Sequence, residues 1–258
     1  MFKGHPKGLY VLFFSNMGER FGYYTMLAIF VYYLSDRFGW DETASSNVYG
    51  LFLAGVYFVP LFGGLLADRV LGYGKTILLG LLFMISGYAM LAIPTQSPYM
   101  VYASLAVISL GVGFFKGNLS VILGNLYNQK TALKDAAFNI FYMGINIGAF
   151  FAPYAAEKMR YLIVERSGLL RDQLINLEKI RELAHQMING VKTITVDGKE
   201  MPIDFTMLQT LASSWSLDTL EFSKRFMDTL SQGYNAAFAV AGVSMFISMG
   251  ILIAFRTC

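Results

Sequence analysis

The feature that most constrains this chain is the apolar run over residues 8–34, interrupted at its centre by Glu19 and Arg20. The run is long enough to cross a bilayer, which takes roughly 20 predominantly apolar residues. An Arg or Asp at the centre of such a helix costs roughly 2.5–3.5 kcal/mol on insertion scales, and charges persist there when they face a polar cavity and find partners. On a helix, Asn16, Glu19, Arg20, Tyr23 and Tyr24 fall at i, i+3, i+4, i+7 and i+8. They form one polar and aromatic stripe and leave the opposite side to lipid.

Five further apolar segments follow, at about residues 47–67, 76–93, 100–127, 136–156 and 234–255. The chain is 14% charged, where a soluble domain carries about 25%. The expected fold class is therefore an all-α membrane protein, a bundle of six transmembrane helices in contact with the lipid bilayer. Residues 1–156 carry spans one to five, residues 157–233 a long polar insert, and residues 234–258 span six and the C-terminus. Helical spacing recurs in the insert at 157–166, 170–188, 205–211 and 217–230. Residues 191–196 and 199–203, joined by Asp197-Gly198, have the pattern of a β-hairpin. The insert reads as a small module of mixed α/β character, either a structural cap or a surface for a partner.

Basic residues in short loops set the expected orientation. Lys3, Lys7, Arg69, Lys75, Lys130, Lys134 and Arg256 fall on one side, and only Arg37 on the other. Both termini are expected on the cytoplasmic side of the cytoplasmic membrane and the insert outside. The first span is not expected to be a cleavable signal: it is too long, carries Glu19 and Arg20, and precedes no small-residue cleavage pattern.

Counting along the spans puts several polar residues at one depth. Glu19 lies eleven residues after Gly8, Lys116 eleven before Tyr127, Tyr57 ten before Ala67 and Asn146 ten after Ala136. Each is then roughly 15–17 Å from the cytoplasmic boundary, the middle of a hydrocarbon core roughly 30 Å thick. Secondary transporters place their binding sites at that depth. Two cations, one acid, three tyrosines and an amide at one level point to a wet cavity that attracts an anion such as a carboxylate. The plainer reading is a structural ion pair of Glu19 with Arg20 or Lys116. Asp68, Arg69 and Lys75 form a Gly-flanked cluster at the membrane edge after span two. They read either as a gating latch between two halves or as ordinary topology-determining charge.

Other functions find little support. No basic face stands apart from the membrane flanks, so nucleic acid is not an expected partner. His5, His185 and the single Cys258 suggest no metal site. The chain has no nucleophile elbow and no phosphate-cradling loop, and no enzyme is expected.

Several segments resemble one family. Residues 64–75 are similar to the cytoplasmic loop motif of the major facilitator superfamily. Glu19-Arg20-Phe21-Gly-Tyr23-Tyr24 resembles the E-x-x-E-R-F-x-Y-Y motif of proton-dependent oligopeptide transporters, and Phe115-Lys116-Gly-Asn118 and Phe141-Tyr-Met-Gly-Ile-Asn146-Ile-Gly148 resemble that family's other signatures. The resemblance implies half of a facilitator-type fold that carries di- and tripeptides with protons and needs no cofactor. It implies that Arg20 and Lys116 bind the peptide carboxylate, that Tyr23, Tyr24, Tyr57 and Asn146 line the pocket, and that Glu19 and Lys116 couple protons. The motif's first acid is Asn16 here, which cannot titrate, and the second six-helix half expected of the family is missing. Other anionic cargo, such as nitrate or a modified amino acid, and a non-transporting scaffold subunit are the alternatives.

Overall fold

The computed structural model describes residues 4–95, 97–127, 131–168, 177–196 and 199–255. Lys3, the Asp197-Gly198 turn, Lys130, Arg256 and Cys258 lie outside the described residues. The helices are α1 (Lys7–Phe38), α2 (Glu42–Phe58), α3 (Pro60–Leu66), α4 (Tyr73–Ala92), α5 (Pro98–Leu126), α6 (Lys134–Arg166), α7 (Leu177–Ile188), α8 (Thr206–Ser214) and α9 (Thr219–Ala254). A π-helical turn, Ala67–Leu71, joins α3 to α4. Strands β1 (Thr193–Val196) and β2 (Lys199–Pro202) pair antiparallel with Thr193 opposite Pro202.

Local chemistry sets the ends of these elements. The Asp41 carboxylate accepts the Ala44 N–H at 2.8 Å and starts α2, and Asp218 does the same for α9 through Glu221. Gly39 ends α1 at φ +66°, where a side chain would be strained, and its N–H returns to the Ser35 carbonyl. Pro60 supplies no N–H and divides the second span into α2 and α3.

Among the described residues, five segments are long and apolar enough to cross a membrane by length and composition: Glu42–Leu71, Tyr73–Ala92, Pro98–Leu126, Lys134–Arg166 and Thr219–Ala254. Helix α1 has the length, at 32 residues, but its polar stripe keeps it out of that set, so a count of six spans is approximate. The helix that holds the sixth apolar segment begins earlier than that segment. Helix α9 runs unbroken from Thr219, so residues 219–233 of the insert belong to the same helix as span six. Helix α6 likewise extends past residue 156 to Arg166. The membrane limits the apolar stretch; it does not limit the backbone hydrogen-bond ladder.

The bundle packs α1 against α6 and α9, and α4 against α5 and α9. Gly148 of α6 lets α1 approach closely: a Cβ there would stand 2.5 Å from the Met17 carbonyl oxygen and 2.9 Å from the Phe21 nitrogen. Phe30 and Tyr33 of α1 and Phe238 of α9 are fully buried, with the Tyr33 and Phe238 rings edge to face at 5.1 Å. The insert packs through α7, whose Ile180, Leu183 and Ala184 fall on one buried face, and through α8, both against α9.

Candidate functional site

Helix α1 supplies the core of the site. Glu19 is fully buried and Arg20 is 5% exposed. Arg20 donates from Nε and Nη2 to the two Glu19 carboxylate oxygens, at 2.5 and 2.6 Å. The pair is adjacent in sequence, and the length of the arginine side chain lets it fold back on its neighbour. The Arg20 guanidinium also lies 4.9 Å from the centre of the buried Tyr23 ring, and Tyr23 meets Tyr24 edge to face at 5.4 Å. A bidentate partner and an aromatic face are what a guanidinium needs to stay charged away from water.

The other expected residues come from three more helices. Lys116 of α5 places its Nζ 4.8 Å over the ring of Tyr57 at the end of α2. Lys116 and Tyr57 are exposed, Tyr57 by 70%. Glu19, Arg20 and Lys116 are near enough to act on one another electrostatically. Asn146 is exposed on α6. Two residues further on, a Cβ at Gly148 would lie 3.4 Å from the Arg20 Cβ, which puts Asn146 within about 3 Å of the level of Arg20 along the helix. The structure thus brings Glu19, Arg20, Tyr23, Tyr24, Tyr57 and Lys116 into one cluster with Asn146 near its depth. Asn16 is buried and donates over a long 3.5 Å to the Phe141 carbonyl of α6, a donation that an ionised carboxylate cannot make.

Asp68, Arg69 and Lys75 are exposed at the end of the bundle opposite the insert, with Asp68 and Arg69 on the π-helical turn. The Asp68 carboxylate accepts the Tyr73 hydroxyl at 2.6 Å; Tyr73 was not among the residues expected there.

A second polar network, at the insert end, was not expected either. Asp36 at the end of α1 has a fully buried side chain. It accepts Arg181 Nε of α7 on both oxygens, at 2.7 and 3.0 Å, and the Tyr234 hydroxyl of α9. Arg160 of α6 pairs with Glu178 of α7 at 2.7 Å and stacks over Tyr234. Burial works against the Arg181 charge, but the hydrogen bonds and negative charge of Asp36 outweigh it and raise the guanidinium pKa above its ordinary value. The one local signal was Asp36-Arg37 closing the first span; the partners lie 145 and 198 residues away.

Residues 74–162 match the POT family. The chain is 40% identical over 157 residues to the uncharacterized transporter YclF of Bacillus subtilis, covering 59% of this chain and 32% of that protein. It is 38% identical over 157 residues to dipeptide and tripeptide permease A of Escherichia coli, covering 59% of this chain and 31% of the permease. Among solved structures, a peptide transporter POT in complex with sulfate superposes on 99% of this chain and 39% of its own, with a TM-score of 0.65 and 31% identity. The aligned part of the chain spans about a third of the length of the curated relatives it matches. It is a multi-pass membrane protein that resembles the N-terminal portion of the POT transporters.

Proposed function

We propose that this chain is the N-terminal half of a secondary active transporter that carries di- and tripeptides across the cytoplasmic membrane by proton symport. The observation that carries the reading is the buried Glu19–Arg20 pair within electrostatic reach of Lys116, on a chain similar to dipeptide and tripeptide permeases. In this reading both termini are cytoplasmic and the 157–233 insert lies outside. A missing second half supplies the other wall of the cavity.

The chemistry follows from charge balance. A peptide carboxylate meets Lys116 and Arg20, while Tyr23, Tyr24, Tyr57 and Asn146 line the pocket with aromatic faces and hydrogen-bonding groups. Protonation of Glu19 removes the negative partner of Arg20 and frees the guanidinium for the carboxylate. Proton and peptide then enter together, and the two halves rock about the site. Asp68, Arg69 and Lys75 serve as a latch at the cytoplasmic edge. The test is proton-driven dipeptide uptake by the complete transporter carrying Lys116→Ala. The reading expects uptake to be abolished, and unchanged uptake would remove Lys116 from the mechanism.

A further inference from the structure

The insert end holds a cavity that the midplane cluster does not use. It has a volume of about 450 Å³ and lies between α1, α2 and α7, a size within the usual range of roughly 300–1,000 Å³ for small-ligand sites. Val31, Tyr32 and Tyr49 give it apolar walls, and Arg181, Glu42 and Ser45 bring polar groups to it.

Arg181 is positioned to bind. Its Nε is taken by both Asp36 oxygens, and its guanidinium lies 4.7 Å over the Tyr32 ring. Its Nη1 makes only a long 3.4 Å contact to Glu178, and its Nη2 has no hydrogen-bond partner among the described residues. The guanidinium is therefore held in place through Nε and Nη1, and Nη2 is left to meet a carboxylate in the cavity. Ser45 is fully buried, and its hydroxyl also lacks a partner among the described residues. Glu42, exposed in the first turn of α2, adds the opposite charge.

The cavity lies on the same face of α1 as part of the midplane cluster. On α1, Tyr24, Ala28, Val31 and Ser35 follow one face over about 16 Å, and the last three line the cavity.

We propose that this cavity is a recruitment site for short zwitterionic peptides on the insert side, with Arg181 receiving the carboxylate, Glu42 the ammonium group and Tyr32 and Tyr49 the side chains. The identity of the ligand rests on the peptide-transport reading. The insert is then a binding element of the translocation path: it delivers Arg181, the one Lys or Arg among the described residues lining the cavity, and concentrates peptide above the midplane residues.

The experiment uses the complete transporter in vesicles, with Cys258→Ser and Val31→Cys, and a membrane-impermeant maleimide added from the insert side. Dialanine is expected to slow modification, and its N-acetylated amide, which carries neither charge, is not. Glu42→Gln is expected to raise the half-protecting dialanine concentration about tenfold, the scale of one hydrogen bond to a charged group. The double variant Asp36→Asn/Arg181→Gln, which removes the cation without orphaning the buried carboxylate, is expected to do the same. Protection is expected to survive Lys116→Ala. Absent protection, equal protection by the uncharged peptide, full protection in both charge variants, or protection lost with Lys116→Ala overturns the site. Dialanine uptake by the same vesicles separates the two readings: protection without uptake keeps the site and sinks transport, and uptake without protection does the reverse.

Discussion

At the scale of single residues, the decisive pair is Glu19 with Arg20. Removing one member of a buried pair leaves an uncompensated charge, typically at a cost of about 3–5 kcal/mol. Glu19→Gln keeps the shape and one acceptor oxygen for Arg20 but cannot titrate. Uptake is expected to lose its response to an imposed proton gradient, while exchange driven by the peptide's own gradient persists; a retained gradient response in vesicles would exclude Glu19 from coupling. Asn16→Glu places a second carboxylate one turn from Glu19 and ends the Asn16 donation to Phe141. It is expected to lower the melting temperature in detergent. The stripe containing these residues was legible in the sequence because charge inside an apolar run and helical spacing are both local signals. The partner of Glu19 was not: neighbours at i and i+1 do not normally face each other on a helix, so Lys116 was an equal candidate. Asp36 was invisible as a hub because its partners lie on α7 and α9.

At the scale of elements, close helix contacts make the cluster possible. A Cβ at Gly148 would strike the α1 backbone, whereas a Cβ at Gly64 would meet open space. Gly148→Ala is therefore expected to destabilise by about 1–3 kcal/mol, the usual cost of overpacking, and Gly64→Ala to be close to neutral in this bundle. Thermal denaturation of the two variants beside the parent checks this difference. Asp36→Asn weakens the only carboxylate that holds both Arg181 and Tyr234 among the described residues. Faster amide exchange in α7 is expected, with α4 and α5 unaffected. The sequence exposed the spans and the hairpin well, because hydropathy and β-strand alternation are short-range patterns. It did not show that the helical stretch at 217–230 and the sixth span form one helix, because Glu221, Lys224, Arg225 and Asp228 end the apolar run but not the helix.

At the scale of the whole molecule, the bundle is open along particular faces. Tyr142, Asn146, Phe150 and Tyr154 recur every four residues on an exposed side of α6, with Phe150 78% exposed, and Tyr57, Leu61 and Leu65 are exposed along α2 and α3. Lipid can cover such surfaces, but it gives no reason for Tyr57 and Asn146 to sit among them with Lys116 beside Tyr57. A second bundle facing the same surfaces would close the cavity around these polar groups. The relatives are about twice as long as this chain, since the 157 aligned residues make up only 31–32% of each, and that length fits the same requirement. The most direct measurement is labelled dipeptide uptake into sealed vesicles under an imposed proton gradient, by this chain with and without a second six-helix half. Uptake only when both are present is the predicted result. Uptake by this chain alone, or none with both halves folded and correctly oriented, would contradict it.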